Sequence, residues 1–196
     1  MPASNGGTKV DKIVVFRIAW MEKYDGKTAD DVPMGAGRFV DLNQTGSEIY
    51  NFRPCQGRMY GFVEPGFTPK PKGIVIKKLG GSKHSDQVSS ILVIWVARHP
   101  DTSKLLVVGW YKHATVHRRR QSPPDSCDRL RSDGKQAPYF VEADEENCEL
   151  IPVGDRFMEV PTGSGGIGMN HLWYLDSQIG TEFKSKLSNQ YKLDFI

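Results

Sequence analysis

The residues of this 196-residue chain with the clearest chemical potential are aromatic side chains that lie close in sequence to arginines and lysines. Trp20, Tyr60, Trp95, Trp110, Tyr111, Trp173 and Tyr174 mostly fall at the ends of segments with strand character. Arg118-Arg119-Arg120 closes one such segment, and Lys77 and Lys78 belong to a second basic stretch between Lys70 and Lys83. Rings provide faces on which a nucleobase stacks, worth roughly 1–3 kcal/mol per base, comparable to the few kcal/mol needed to extrude it from a duplex. Cationic side chains neutralise phosphates, each adding about one unit to the salt dependence of binding. The expected site is a pocket walled by Trp20, Tyr60, Trp95, Trp110 and Tyr111. Asn51, Asp41 or Ser89 would read the base edge, while Arg118, Arg119, Arg120, Lys77 and Lys78 grip the flanking phosphates. The competing expectation for each ring is ordinary core packing.

Other chemistries find less support. Nucleophilic hydrolysis advertises itself by a strained Gly-x-Ser-x-Gly elbow, and the sequence has none. The run Gly163-Ser-Gly-Gly-Ile-Gly168 lacks the spacing of a dinucleotide fingerprint, so no cofactor is expected. Its glycines would serve either as a hinge or as a close backbone approach to a phosphate, with a helix beginning at Met169. His113 and His117 stand four apart, but on a strand rather than a helix, which argues against a zinc site, and no metal is expected. Cys55, Cys127 and Cys148 are widely spaced without a Cys-x-x-Cys, which argues against a disulfide framework and for a reducing, cytoplasmic setting. Asp41, Glu48 and Glu64 are the carboxyls available to an acid/base enzyme, with no motif behind them. A protein-interaction domain would instead expose an apolar patch without a basic rim.

The elements that must position these residues read as β-rich. Lys plus Arg number 26 and Asp plus Glu 23, a net charge of +3, so an electrostatic partner must meet a local patch. Such a patch exists: Arg118–Lys135 holds six bases against three acids, whereas Glu142–Glu149 holds five acids and no base. The longest apolar runs, Ile91–Ala97 and Leu105–Trp110, fall far short of the roughly 20 residues that span a bilayer. Residues 1–9 read as a loose leader without a secretory signature, and residues 10–196 as one domain. Val10–Trp20 predicts a central strand buried on both faces. Short strands are predicted at Arg38–Leu42, Glu48–Phe52, Arg58–Val63 and Gly73–Leu79, then a hairpin of Ser90–Ala97 with Lys104–Lys112. Thr115–Arg118, Pro138–Ala143 and Cys148–Val153 complete the strands, with a mobile polar connection at 121–136. Ile179, Phe183, Leu187 and Tyr191 repeat every fourth residue, which predicts a helix capped by Asp176 or Ser177; Gly180 weakens its first turn by about 1 kcal/mol. The predicted class is α+β: a small, mostly antiparallel β-barrel with flanking helices.

The phrases IVVFRIAWM, EIYNFRPCQGRMYGFVEP, ILVIWVARHP, LLVVGWYKHATVHRR and GSGGIGMNHLWY resemble the N-terminal domains that precede nuclease or motor modules in modification-dependent restriction systems. Those domains belong to the PUA-like group, with the EVE, YTH, ASCH and SRA-type readers, and the resemblance covers most of residues 10–175. It implies a small β-barrel that accepts a flipped, methylated or otherwise substituted base of double-stranded DNA in an aromatic cage. It also implies no catalysis in this chain, cleavage or motor action belonging to a separate effector domain or subunit. The related alternative is a YTH-like reader of RNA.

Overall fold

A computed structural model describes residues 12–35, 46–66 and 73–193. Asp41, the Arg38–Leu42 segment, Lys70 and residues 1–9 lie outside the described residues. The rest is a mixed α+β fold built on one eight-stranded sheet with a C-terminal helix. In chain order the strands are β1 (Lys12–Ile18), β2 (Pro54–Cys55), β3 (Arg58–Gly61), β4 (Gln87–Arg98), β5 (Leu105–Gln121), β6 (Tyr139–Asp144), β7 (Cys148–Leu150) and β8 (Leu172–Trp173), followed by helix α1 (Gln178–Tyr191). Their order in the sheet is β2-β3-β6-β5-β4-β1-β8, with β7 joining the first half of β5.

β1 sits inside the sheet, parallel to β4 and antiparallel to β8, as its unbroken apolar run predicts. Its side chains alternate between two cores: Val14, Phe16 and Ile18 enter one, Ile13 and Val15 the other. β4 and β5 form the expected antiparallel hairpin, closed where His99 N–H donates to the Lys104 carbonyl at 2.8 Å. Thr115–Arg118 is the continuation of β5 rather than a separate strand. Ser90 on β4 adopts positive φ where the register slips between Val88 and Ile91, and His113 on β5 does so at the next slip, between Ile91 and Val93. Paired irregularities of this kind bend a ribbon and raise its twist.

The second core is closed by α1. Ser177 caps it by accepting from the Gly180 N–H at 3.1 Å, and Phe183 and Leu187 are buried. Phe183 stacks on Trp173, and Tyr191 lies 5.0 Å from Trp110. Gly180 is required rather than merely tolerated, because a Cβ there would stand 2.7 Å from the Leu175 backbone.

The first core is closed by the chain itself. In the sheet order β3 is separated from β4 by two strands, yet Gly61 of β3 lies against Trp95 of β4. A Cβ on Gly61 would meet Trp95 Cη2 at 2.8 Å and Tyr111 Cε2 at 3.2 Å. The sheet therefore curves over this face, and only glycine permits the approach.

Four expectations are corrected. Glu48–Phe52 and Gly73–Leu79 contain 3-10 turns, at Ser47–Tyr50 and Ile76–Leu79, in place of strands. Ile49, Tyr50, Phe52, Ile74, Ile76 and Leu79 are buried in the first core, with Val75 exposed, so burial, not pairing, explains most of their composition. No helix begins at Met169; the chain turns there and forms β8 before α1. The 121–136 connection is tied down: Cys127 is disulfide-bonded to Cys55, Arg129 is fully buried and the Tyr50 hydroxyl donates to the Leu130 carbonyl at 2.6 Å. The cysteine reading fails with it, because 72 residues of sequence separation said nothing of β2 and this connection lying side by side. The inference of a reducing compartment loses its basis. No helix among the described residues is long and apolar enough to cross a membrane.

Candidate functional site

The rings predicted to share one pocket occupy four places. Trp95 and Tyr111 meet edge-on, 5.3 Å between centroids, fully buried in the first core. Trp110 precedes Tyr111 on the strand, so it points to the opposite face and packs beneath α1. Trp20 is buried against His99, with the Arg156 guanidinium 5.0 Å from its ring. Tyr60 pairs with Tyr139 beside the disulfide. The structure does not gather Trp20, Trp95 and Trp110 into one cage.

The polar candidates are similarly divided. Asn51, wholly buried, bridges two loops: its Nδ2 donates to the Phe62 carbonyl at 2.9 Å and its Oδ1 accepts from the Phe62 N–H at 2.8 Å. Both ends of its amide serve the backbone. Ser89 shares a 2.9 Å hydrogen bond with Thr115 on the neighbouring strand. Arg118 donates to the carbonyls of Lys83 and Ser85, at 3.0 Å and 2.8 Å, so it organises the 82–85 turn. Lys78 is paired with Asp176 at 2.9 Å and lies over Tyr174. Arg119 and Lys77 are exposed and make no side-chain hydrogen bond or ion pair among the described residues.

One end of the sheet does gather chemistry. Asn51 ties the Ser47–Tyr50 turn to the exit of β3, and the Ile74 N–H donates to the Arg118 carbonyl at 3.0 Å. The 46–51, 62–66 and 73–76 loops are thereby held beside the end of β5. There Arg120 pairs with Glu64 at 2.8 Å and lays its guanidinium 5.5 Å from the Phe62 ring centre. Glu48 folds back toward the backbone at Gly46. Enclosure by protein, reinforced by the negative charge of Glu64, pushes the Glu48 carboxyl up to about 7. Arg120, Glu64 and Glu48 are thus brought together at one end of the sheet, over the Phe62 ring, which is itself buried in the first core against Phe140, with unpaired Arg119 on the same strand end.

Compared with known protein families, with curated proteins and with solved structures, the chain matches none.

Elsewhere His117 hydrogen-bonds Glu142 at 2.9 Å. That bond, with Arg58 3.2 Å away, holds the Glu142 carboxyl below its ordinary range. Among the described residues no three His, Cys, Asp or Glu side chains come together as metal ligands. Sequence reasoning missed Phe62, Arg129 and Arg156. Phe62 lies in the segment EIYNFRPCQGRMYGFVEP, but its neighbour Arg120 is 58 positions away, a contact that local pattern does not encode.

Proposed function

We propose that this chain is a DNA-binding reader that recognises a substituted base extruded from the duplex, on a PUA-like, barrel-like frame. The observation that carries the reading is the rim where Phe62, Arg120, Glu64 and Glu48 meet beside unpaired Arg119. In this reading Phe62, 6% exposed and packed on Phe140, is uncovered on the side that faces Arg120 and forms the stacking platform with it, in place of the dispersed tryptophans. Arg120 covers the Phe62 ring, the place an extruded base takes; once displaced, Arg120 joins Arg119 and Lys77 at the phosphates. Glu48, protonated, donates to a ring nitrogen or carbonyl of the base; ionised, it accepts from an exocyclic amino group, as carboxylates do from cytosine N4. Cleavage or motor action belongs to an effector domain or subunit.

Fluorescence anisotropy of the full chain against duplexes identical but for one substituted base tests the reading. Preference for the substituted duplex supports it; equal, weak binding to every duplex removes the recognition claim. Matched RNA oligomers in competition separate this from the RNA-reading alternative.

One observation favours a second reading, an acid/base enzyme acting on a small substrate: two carboxyls interact here and one is tuned to about 7. Glu48→Gln discriminates. In a reader it alters base preference; in an enzyme it abolishes turnover with binding retained.

A further inference from the structure

Among the described residues two arginines are buried, Arg129 and Arg156, and they are treated differently. Arg156 uses all three of its nitrogens: Nε donates to the Ile151 carbonyl at 2.7 Å, Nη1 to Met21 at 2.6 Å and Nη2 to Glu22 at 2.7 Å. Arg129 uses one. Its Nη1 donates to the Tyr50 and Tyr60 carbonyls, at 3.1 Å and 2.5 Å, while Nε and Nη2 have no partner although the residue is wholly buried.

The two idle nitrogens form one edge of the guanidinium, the side-on fork whose parallel N–H bonds match the two oxygens of a carboxylate or phosphate. No carboxylate is among the charges acting on Arg129: Tyr111, Tyr50 and Tyr60 favour its cation, and Arg53 opposes it. Burial lowers its pKa to about 10, which leaves it charged at neutral pH. A buried cation without a counterion is costly, and so is an unpaired donor in such surroundings.

Two further buried donors have no partner, the Tyr111 hydroxyl and the Trp95 indole N–H, and their rings meet edge-on. The electrostatic effect of Arg129 reaches Tyr111. Tyr60, whose carbonyl holds Arg129, precedes Gly61, which touches both the Trp95 and Tyr111 rings. Unpartnered donors from β4, β5 and the 122–136 segment thus lie in adjoining parts of the core, where the buried Gln136 Oε1 of the same segment also lacks a partner.

We propose that the Nε/Nη2 edge of Arg129, with the Tyr111 hydroxyl and the Trp95 indole N–H, forms an internal binding site for a small oxyanion, a carboxylate or a phosphate. The site is distinct from the rim described above and does not depend on nucleic-acid binding. Its atoms are closed off from solvent, so the ion is captured as the segment carrying Arg129 docks onto Tyr50 and Tyr60.

The test uses the full chain, unfolded and refolded in chloride alone or with sodium phosphate or sodium acetate at matched ionic strength. Indole N–H signals are followed by ¹⁵N NMR, with Trp95 assigned through Trp95→Phe, together with the thermal midpoint. The expected result is a saturable shift of the Trp95 signal, with Trp20, Trp110 and Trp173 unmoved, and a rise in midpoint. Response to phosphate alone or acetate alone identifies which oxyanion fits. Tyr111→Phe, nearly isosteric, is expected to weaken the effect about tenfold, and Arg129→Lys, which keeps the charge without the fork, to abolish it. The proposal is overturned if neither anion moves the Trp95 signal, as a site filled by water alone would behave. It is equally overturned if wild type and Tyr111→Phe respond identically, the mark of general salt stabilisation.

Discussion

Replacing Glu48 by Gln removes one titrating carboxyl at nearly constant size, and its effect is calculable. The folded carboxyl titrates near 7 against an ordinary 4.5, raised by enclosure and then by Glu64. Between these values the native state holds a proton that the unfolded chain has released, so stability falls as pH rises through this window. From pH 5 to pH 8 the loss attributable to Glu48 is about 2–3 kcal/mol. Urea unfolding at pH 5, 6.5 and 8 measures it. Wild type is expected to lose that stability relative to Glu48→Gln, whose difference from wild type is small at pH 5 and largest at pH 8. All other titrating groups are shared by the two proteins and cancel in the comparison. Parallel stability curves across the range would refute the claim that Glu48 is held protonated at the rim.

Four further outcomes are expected. Gly61→Ala drives a methyl group into the Trp95 ring and should cost about 1–3 kcal/mol in urea unfolding; a neutral effect would mean the sheet does not curve as described. Reducing the Cys55–Cys127 bond, which closes a separation of 72 residues, should remove about 4 kcal/mol by chain entropy; an unchanged unfolding midpoint in dithiothreitol contradicts the tethering of the 121–136 connection. Arg119→Ala should weaken binding to all duplexes alike and flatten the salt dependence by about one unit, whereas altered base preference would place Arg119 at the base. Trp110→Ala should lose about 3–5 kcal/mol of stability because Trp110 packs under α1; retained stability with lost base preference would restore it to the pocket.

Much of the frame was legible because its signals are local. The β-branched run of β1, the hairpin of β4 and β5 and the four-residue repeat of α1 each report burial through period alone, and the structure contains all three. Period says nothing of which buried face meets which, and the site reading failed at that step. Trp110 and Tyr111 are adjacent in sequence and therefore project to opposite faces, so they could never wall one pocket. Glu48–Phe52 looks like a strand because it is a short apolar segment set among Gly and Pro clusters, yet Asn51 binds the backbone of Phe62 and the segment turns instead. Arg129 was hidden most completely, since a polar connection gives no sign that one arginine folds inward.

The central claim, that a base leaves the duplex to stack at the Phe62–Arg120 rim, is tested most directly by a duplex carrying 2-aminopurine beside the target base. Extrusion of the target unstacks the reporter, so binding of the full chain is predicted to raise its fluorescence in step with anisotropy. The rise should disappear in Phe62→Leu while salt-dependent binding through Arg119 persists. Full binding by anisotropy with no change in 2-aminopurine emission, in wild type, would contradict the account.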